Sequence, residues 1–370
     1  MIISKKQSDI INFLKGMLPI MVVALHTSSS AMELEFFGSV ESFLRVLLYK
    51  LGEAAVPAFF FISGYLFFKG LDRWNWSVWL GKLKKRVKTL FVPYILWMVI
   101  FFFGLYLWSY TKSEIPGISL STIKASFESA GGLRMFYDRP VINGGGNCLL
   151  GYYVPNDKPI DVPLWYVRDL MILFLLAPLI WGFLKIAKHY GLVLLLLTYM
   201  TGCGIPVSGF STTGFFFLSC GAWLSMNNRE FSDYLPKIRK WAYPVSILLL
   251  VASFVIHKYG IWVEDTVVKL FIISFVIALF CIADAFITNG FRPVKLLTDS
   301  SFFTYSIHNV LITEIANFLL WRVLPITAEW MLVLKVFLRP AVTVGLCLLL
   351  FVAMKKICPK TLGLLTGGRG

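Results

Sequence analysis

Apolar runs long enough to cross a lipid bilayer recur along the whole of this chain. A spanning helix needs about 20 predominantly apolar residues, and segments of that kind start near Asn12 and continue to near Met354. Of the 370 residues, 58% are hydrophobic and only 15% are charged. A soluble domain of this length cannot hide that much apolar surface, so lipid must solvate part of it. The fold class that follows is all-α, a polytopic membrane protein read as one integral-membrane domain over residues 1–370. No early segment has a small-residue cleavage site after a short apolar core, so the first span is expected to be retained.

About ten segments reach spanning length. They lie near 12–30, 47–69, 89–110, 164–186, 190–206, 209–226, 240–257, 266–288, 301–321 and 330–354. Gly202, Gly204 and Pro206 separate the fifth from the sixth. Cytoplasmic loops carry an excess of Lys and Arg, and this sets the orientation. With both termini cytoplasmic, 21 of the 35 basic residues fall in inner segments and nine in outer ones. One long outer connection runs from about 111 to 163, with Gly131-Gly132 and Gly144-Gly145-Gly146 inside it. A loop of that length reads either as a functional cap or as a loose external connection. There is no internal repeat, which disfavours transporter folds built from inverted halves.

The formal charge of +15 would suggest nucleic acid in a soluble protein. Here the cations cluster in short loops, where they set topology and meet anionic lipid, so no nucleic-acid partner is expected. The six cysteines form no Cys-x-x-Cys pair and no His stands at zinc-ligand spacing, so no metal site is expected. Cys148 and Cys203 both fall in outer segments, where a disulfide is chemically allowed. Oligomeric state is not legible.

Counting residues at a rise of about 1.5 Å each gives the depth of every intramembrane polar group. His26, Glu53, Arg168, Asp169 and Glu314 then fall in one layer, roughly 5–10 Å below the outer surface. An imidazole whose one nitrogen meets a carboxylate has its tautomer set and its other nitrogen made more basic. The layer therefore reads as a general-base site; the alternative for each member is an interhelical tie or a packing ion pair. A second layer lies toward the inside. Lys15 is about 16 Å below His26 on the same helix, with Ser63, Tyr65, His308 and the run Lys82–Lys88, which includes Lys85, Arg86 and Lys88. Clustered cations suit phosphates, although such a run is also a topology signal.

Four motifs in order resemble the integral-membrane acyltransferase-3 family, which includes bacterial O-acyltransferases of surface polysaccharides. Leu14–His26 resembles the family's first span, in which a basic residue, usually Arg, precedes a His with ten residues between. Val56–Leu66 contains Phe59-Phe60-Phe61-Ile62-Ser63-Gly64, similar to its Phe-Phe-x-x-Ser-Gly signature. Pro163–Leu170 resembles its Leu-Trp-Phe motif, and Tyr305-Ser306-Ile307-His308 its late Tyr-x-x-His. The resemblance implies an acyl donor, typically acetyl-CoA or another acyl-CoA, bound from the cytoplasm as co-substrate, with no permanently bound cofactor. The acyl group goes to a hydroxyl, less often an amine, of an extracytoplasmic glycan or cell-envelope precursor. The location implied is the bacterial cytoplasmic membrane. His26 matches the family's essential histidine. Lys15 stands where the family usually has Arg, which keeps the charge and loses the bidentate fork.

The expected chemistry is general-base acyl transfer. His26 takes the proton of the acceptor hydroxyl, and Glu53, Glu314 or Asp169 orients the imidazole. Arg168 or Trp165 positions the acceptor. A covalent acyl-histidine step is an open alternative, since imidazole is itself a nucleophile. The competing function is a transporter or flippase for a lipid-linked or small polar substrate, because intramembrane carboxylates and histidines also serve proton relays.

Overall fold

The computed structural model describes residues 3–28, 39–111, 119–129, 131–138, 147–149, 152–154, 158–259, 262–324 and 328–369. Helix α1 is Lys5–Ser28, α2 Val40–Gly52 and α3 Ala55–Phe68; α4, Trp76–Arg86, continues through a π-helical turn, Val87–Phe91, into α5, Val92–Thr111. The outer connection holds α6, Leu120–Ser129, a 3-10 turn at Gly132–Phe136, and a small antiparallel hairpin of β1, Asn147–Leu149, and β2, Tyr152–Val154. Then follow α7 (Trp165–Leu175), α8 (Ala177–Thr201), α9 (Thr212–Met226), α10 (Leu235–Lys258) and α11 (Glu264–Thr288). The last group is α12 (Lys295–Asp299), α13 (Ser301–Ile307), a second π turn (His308–Ile312), α14 (Thr313–Val323), α15 (Glu329–Ile357) and α16 (Pro359–Thr366).

Seven helical stretches among the described residues are long and apolar enough to cross a membrane. Of the other expected segments, the sixth is one shorter helix, α9, and the fourth and ninth are helical but broken. The fourth divides at Leu176, where Pro178 lies in the first turn of α8 and supplies no N–H to the preceding turn. The expected inner corner between the fourth and fifth falls at Lys188, whose φ of 51° and ψ of −132° interrupt α8. The ninth is interrupted by the π turn at His308. Two stretches expected as connection are helical instead. Ser39 caps α2 by accepting the N–H of Ser42 at 3.1 Å, and Asn75 caps α4 by accepting that of Val78 at 3.1 Å. An N-cap of this kind satisfies one of the orphan donors at a helix start. Lys82–Arg86 therefore sit on a helix rather than in a loop.

In hydrocarbon, helices associate by close packing more than by hydrophobicity, and small residues let backbones approach. Gly64 of α3 and Gly221 of α9 do this reciprocally. A Cβ on Gly64 would stand 2.1 Å from the Leu218 carbonyl oxygen, and one on Gly221 would stand 2.1 Å from that of Phe61. Helix α1 packs against α2, α3, α11, α12, α13 and α15. Its inner half is tied by Lys6 to Asp284 at 2.6 Å and by Gln7, whose side-chain oxygen accepts the Ser232 N–H at 3.0 Å. In contrast, α8 and α10 expose Leu179, Leu194, Leu197, Ile247 and Leu248, a surface suited to lipid.

The described parts of the outer connection are anchored to the bundle. The Tyr94 hydroxyl donates to the Phe136 carbonyl, the Ile160 N–H to that of Met135 at 2.9 Å, and the Tyr106 hydroxyl to Thr122 at 2.9 Å. Cys203 is a free, exposed thiol, and the Cys148 side chain lies outside the described residues.

Candidate active site

Helix α1 carries a basic residue in its middle and a histidine near its C-terminal end, and the rest of the bundle packs around both. His26 is half-buried. The ring beside it is His308, with centroids 5.2 Å apart and planes inclined by 46°. His308 is fully buried. Its Nδ1 lies 2.9 Å from the Tyr305 carbonyl oxygen and 3.2 Å from that of Thr304. A neutral imidazole has one donor and one acceptor nitrogen, so two carbonyls at Nδ1 assign the proton there. Nε2 is left as the acceptor, and it has no hydrogen-bond partner among the described residues. The π turn makes this geometry available: the His308 carbonyl accepts the Thr313 hydroxyl at 2.7 Å, in a widened turn of the sort that recurs at functional sites.

Residue counting along each helix placed His308 in the inner layer. The structure places it level with His26, because α13 does not start at the inner edge of the bundle. Leu297 packs on Gly16, where an added Cβ would stand 3.1 Å from the Leu297 Cβ, and the Thr298 hydroxyl donates to the Asn12 carbonyl at 3.2 Å. Ser301 thus begins near the level of Lys15, and two turns carry the chain up to His26.

Below the histidine pair is a cavity of about 340 Å³ lined by Lys15, Arg86 and Arg369 together with Ser63, Tyr166 and Tyr305. The Ser63 and Tyr166 hydroxyls are hydrogen-bonded at 2.9 Å. Arg86 lies over the Phe174 ring at 5.4 Å and Arg369 over Phe302 at 5.1 Å. Burial, and secondarily Arg86 beside it, lowers Arg369 to about 10. Tyr305 separates the cavity from the histidines: it lines the cavity, its ring is 6.3 Å from that of His308, and its hydroxyl donates to the Pro163 carbonyl. Thr298 and Asp299 line both this cavity and an open groove beside Lys5, Arg292 and Lys295, so the cavity adjoins the basic end of the bundle.

Several residues grouped by the sequence lie apart from these two centres. Tyr65 is fully buried and packs against Phe231 at 5.3 Å, outside the cavity lining. Lys85, on α4, and Lys88, in the π turn, are exposed. Arg168 and Asp169 form a buried ion pair at 2.8 Å. Arg168 also donates to the Tyr137 carbonyl at 2.6 Å, which fastens the outer connection to α7. Trp165 is half-buried under the ammonium of Lys158, 4.4 Å from the ring centroid. Glu53 stands at the junction of α2 and α3, with Lys50 as its charged neighbour. Glu314 is exposed and 3.5 Å from the Asn317 amide. Asn317 accepts from Arg339 at 2.7 Å, and Arg339 reaches the Thr27 carbonyl at 3.4 Å. Glu314 therefore connects to the neighbour of His26 through two intervening side chains.

Two residues at these centres escaped the sequence reading. Arg369 counted only as one of the inner cations. Asp161 is fully buried in the connection just before α7. Burial pushes its carboxyl well above the ordinary range, opposed by a contact with Asn309, the residue after His308. Its position, four residues before Trp165, was the available signal.

The fold and site define a multi-pass membrane protein with a cation-lined cavity beside a pair of imidazoles, one half-buried and one fully buried. The chain belongs to the acyltransferase-3 family: the profile of its acyltransferase domain matches residues 9–353. The chain is 24% identical to the succinoglycan biosynthesis protein ExoH of Rhizobium meliloti (strain 1021), over 97% of this chain and 92% of that protein. No solved structure matches it. The protein is thus an acyltransferase.

Proposed function

We propose that the protein is an O-acyltransferase that moves an acyl group, acetyl in the first instance, from cytoplasmic acyl-CoA to a hydroxyl of an extracytoplasmic glycan or cell-envelope precursor. Its place is the bacterial cytoplasmic membrane. The observation that carries this reading is the stacking of two centres: a cavity with Lys15, Arg86 and Arg369 directly below His26 and His308. Cations suit the phosphates of the donor, and an extended pantetheine arm would lead the thioester past Tyr305 to the imidazoles. The glycan acceptor is supported by the polysaccharide named for the Rhizobium relative.

In the proposed reaction His26 removes the proton of the acceptor hydroxyl as its oxygen attacks the thioester carbonyl. The carbon–sulfur bond then breaks, the new ester forms, and the histidinium returns the proton to the departing thiolate. His308 acts beside it. With Nδ1–H held by two carbonyls, its Nε2 is an acceptor for the protonated His26 ring, the part a carboxylate plays in other general-base sites. A direct test is His26→Ala, followed by mass spectrometry of envelope glycans from cells carrying the variant in place of the wild type. Loss of the acyl modification with normal membrane insertion is expected; normal acylation refutes the assignment.

A further inference from the structure

The segment after α15 lies outside the part of the chain that the family profile covers, yet it delivers a guanidinium into the cation-lined cavity. It is held firmly. The Trp97 indole N–H donates to the Leu365 carbonyl at 2.9 Å, and Leu362, Leu365 and Thr366 are buried. Gly367 follows in the left-handed conformation, φ 65°, pressed against the π turn of Val87–Phe91. A Cβ there would stand 2.4 Å from the Thr89 carbonyl oxygen, so only glycine fits. Two residues on, Arg369 donates from Nη2 to the same Thr89 carbonyl at 3.3 Å and lies over Phe302.

The surroundings of Arg369 are cationic. Arg86 is its charged neighbour, and Arg86 and Arg369 are both neighbours of Lys15. The one carboxylate among the described residues that line the cavity, Asp299, is 3.8 Å from Lys355. Three cations gathered out of water are unfavourable unless an anion joins them. Among the described residues the Arg369 fork makes one hydrogen bond, to the Thr89 carbonyl, and the residue lines the cavity.

We propose that Arg369 binds a phosphate group of the acyl donor and supplies the bidentate fork that Lys15, as a point charge, does not. A guanidinium matches phosphate geometry in a way an ammonium cannot. The assignment rests on the donor reading above.

The test uses the full chain in nanodiscs of zwitterionic lipid, with binding of coenzyme A, pantetheine and inorganic pyrophosphate measured for wild type, Arg369→Ala, Arg369→Lys and Gly367→Val. Arg369→Ala is expected to weaken coenzyme A binding about tenfold or more, the loss of one charge-assisted contact, and to leave pantetheine binding unchanged. Arg369→Lys falls between. Gly367→Val keeps the charge but lifts the segment off Thr89, and it should weaken coenzyme A as Arg369→Ala does. Unfolding without ligand shows whether each variant is folded; if Arg369→Ala is not, the other two decide. Wild-type coenzyme A affinity in Arg369→Ala overturns the proposal. So does an Arg369 effect seen only when phosphatidylglycerol is added to the discs, which would assign the fork to a lipid headgroup. Arg369-dependent binding of pyrophosphate without coenzyme A binding keeps the phosphate site and overturns the donor reading; no binding of either overturns both.

Discussion

His26 and His308 stand ring to ring, 5.2 Å between centroids, although they come from the first helix and from a π turn near the other end of the chain. The arrangement gives the half-buried His26 ring a fully buried neighbour whose Nδ1 lies against two backbone carbonyls. It adds to the chemistry expected of the site, since the His308 imidazole adjoins His26 at close range.

If His308 accepts from the protonated His26, His308→Ala should lower turnover about 10²–10⁴-fold, the range for an acid–base group, with donor affinity near that of wild type. Initial rates against donor concentration separate the two effects. Wild-type turnover would remove His308 from the proton path.

The cavity divides the basic run of the third span. Arg86 lines it, whereas Lys85 and Lys88 are exposed. Arg86→Ala should raise the donor KM about tenfold, and Lys85→Ala or Lys88→Ala far less. Equal effects from all three would show that general surface potential, and not the cavity, governs donor binding.

Asp161 offers a pH test. Burial raises its carboxyl in the folded protein, so between the ordinary carboxyl pKa, about 4, and the raised value the folded state binds more protons than the unfolded one. Stability contributed by this group falls as pH rises through that window. Asp161→Asn lacks a proton to lose. Its unfolding temperature should exceed that of wild type at pH 7, with the gap closing as pH approaches 4. A constant gap would mean that packing, not ionisation, sets the difference.

The Arg168–Asp169 pair is buried and tied to Tyr137. Asp169→Ala removes the carboxylate of the buried pair, and breaking such a pair costs about 3–5 kcal/mol. A clear drop in thermal stability in detergent is expected, together with easier proteolysis near Tyr137. Unchanged stability with lost activity would instead favour the catalytic role that the sequence layer suggested for Asp169.

Much of the site was legible as residue types in order. His26, Lys15, Ser63, Arg86 and His308 all stand at one of the two centres, and each belonged to a motif or a cation run. Their grouping was less legible. Depth by residue count treats every span as starting at the bilayer edge, and α13 instead starts level with Gly16. The run Lys85–Lys88 gives no hint that Arg86 alone turns inward, because direction around a helix depends on its packed neighbours. Asp161 lay in a connection whose burial no local pattern announces.

What the sequence determined by itself is the membrane class, the helical backbone and the positions of the charged groups along each span. These follow from local rules: hydrocarbon tolerates few charges and no unpaired backbone, and loop cations set orientation. What only the tertiary structure decided is which charges meet. The glycine contacts of α3 with α9, the two π turns, and the return of α16 onto Thr89 bring together residues from opposite ends of the chain. Such meetings depend on helix packing in three dimensions, and no periodicity within a single segment encodes them.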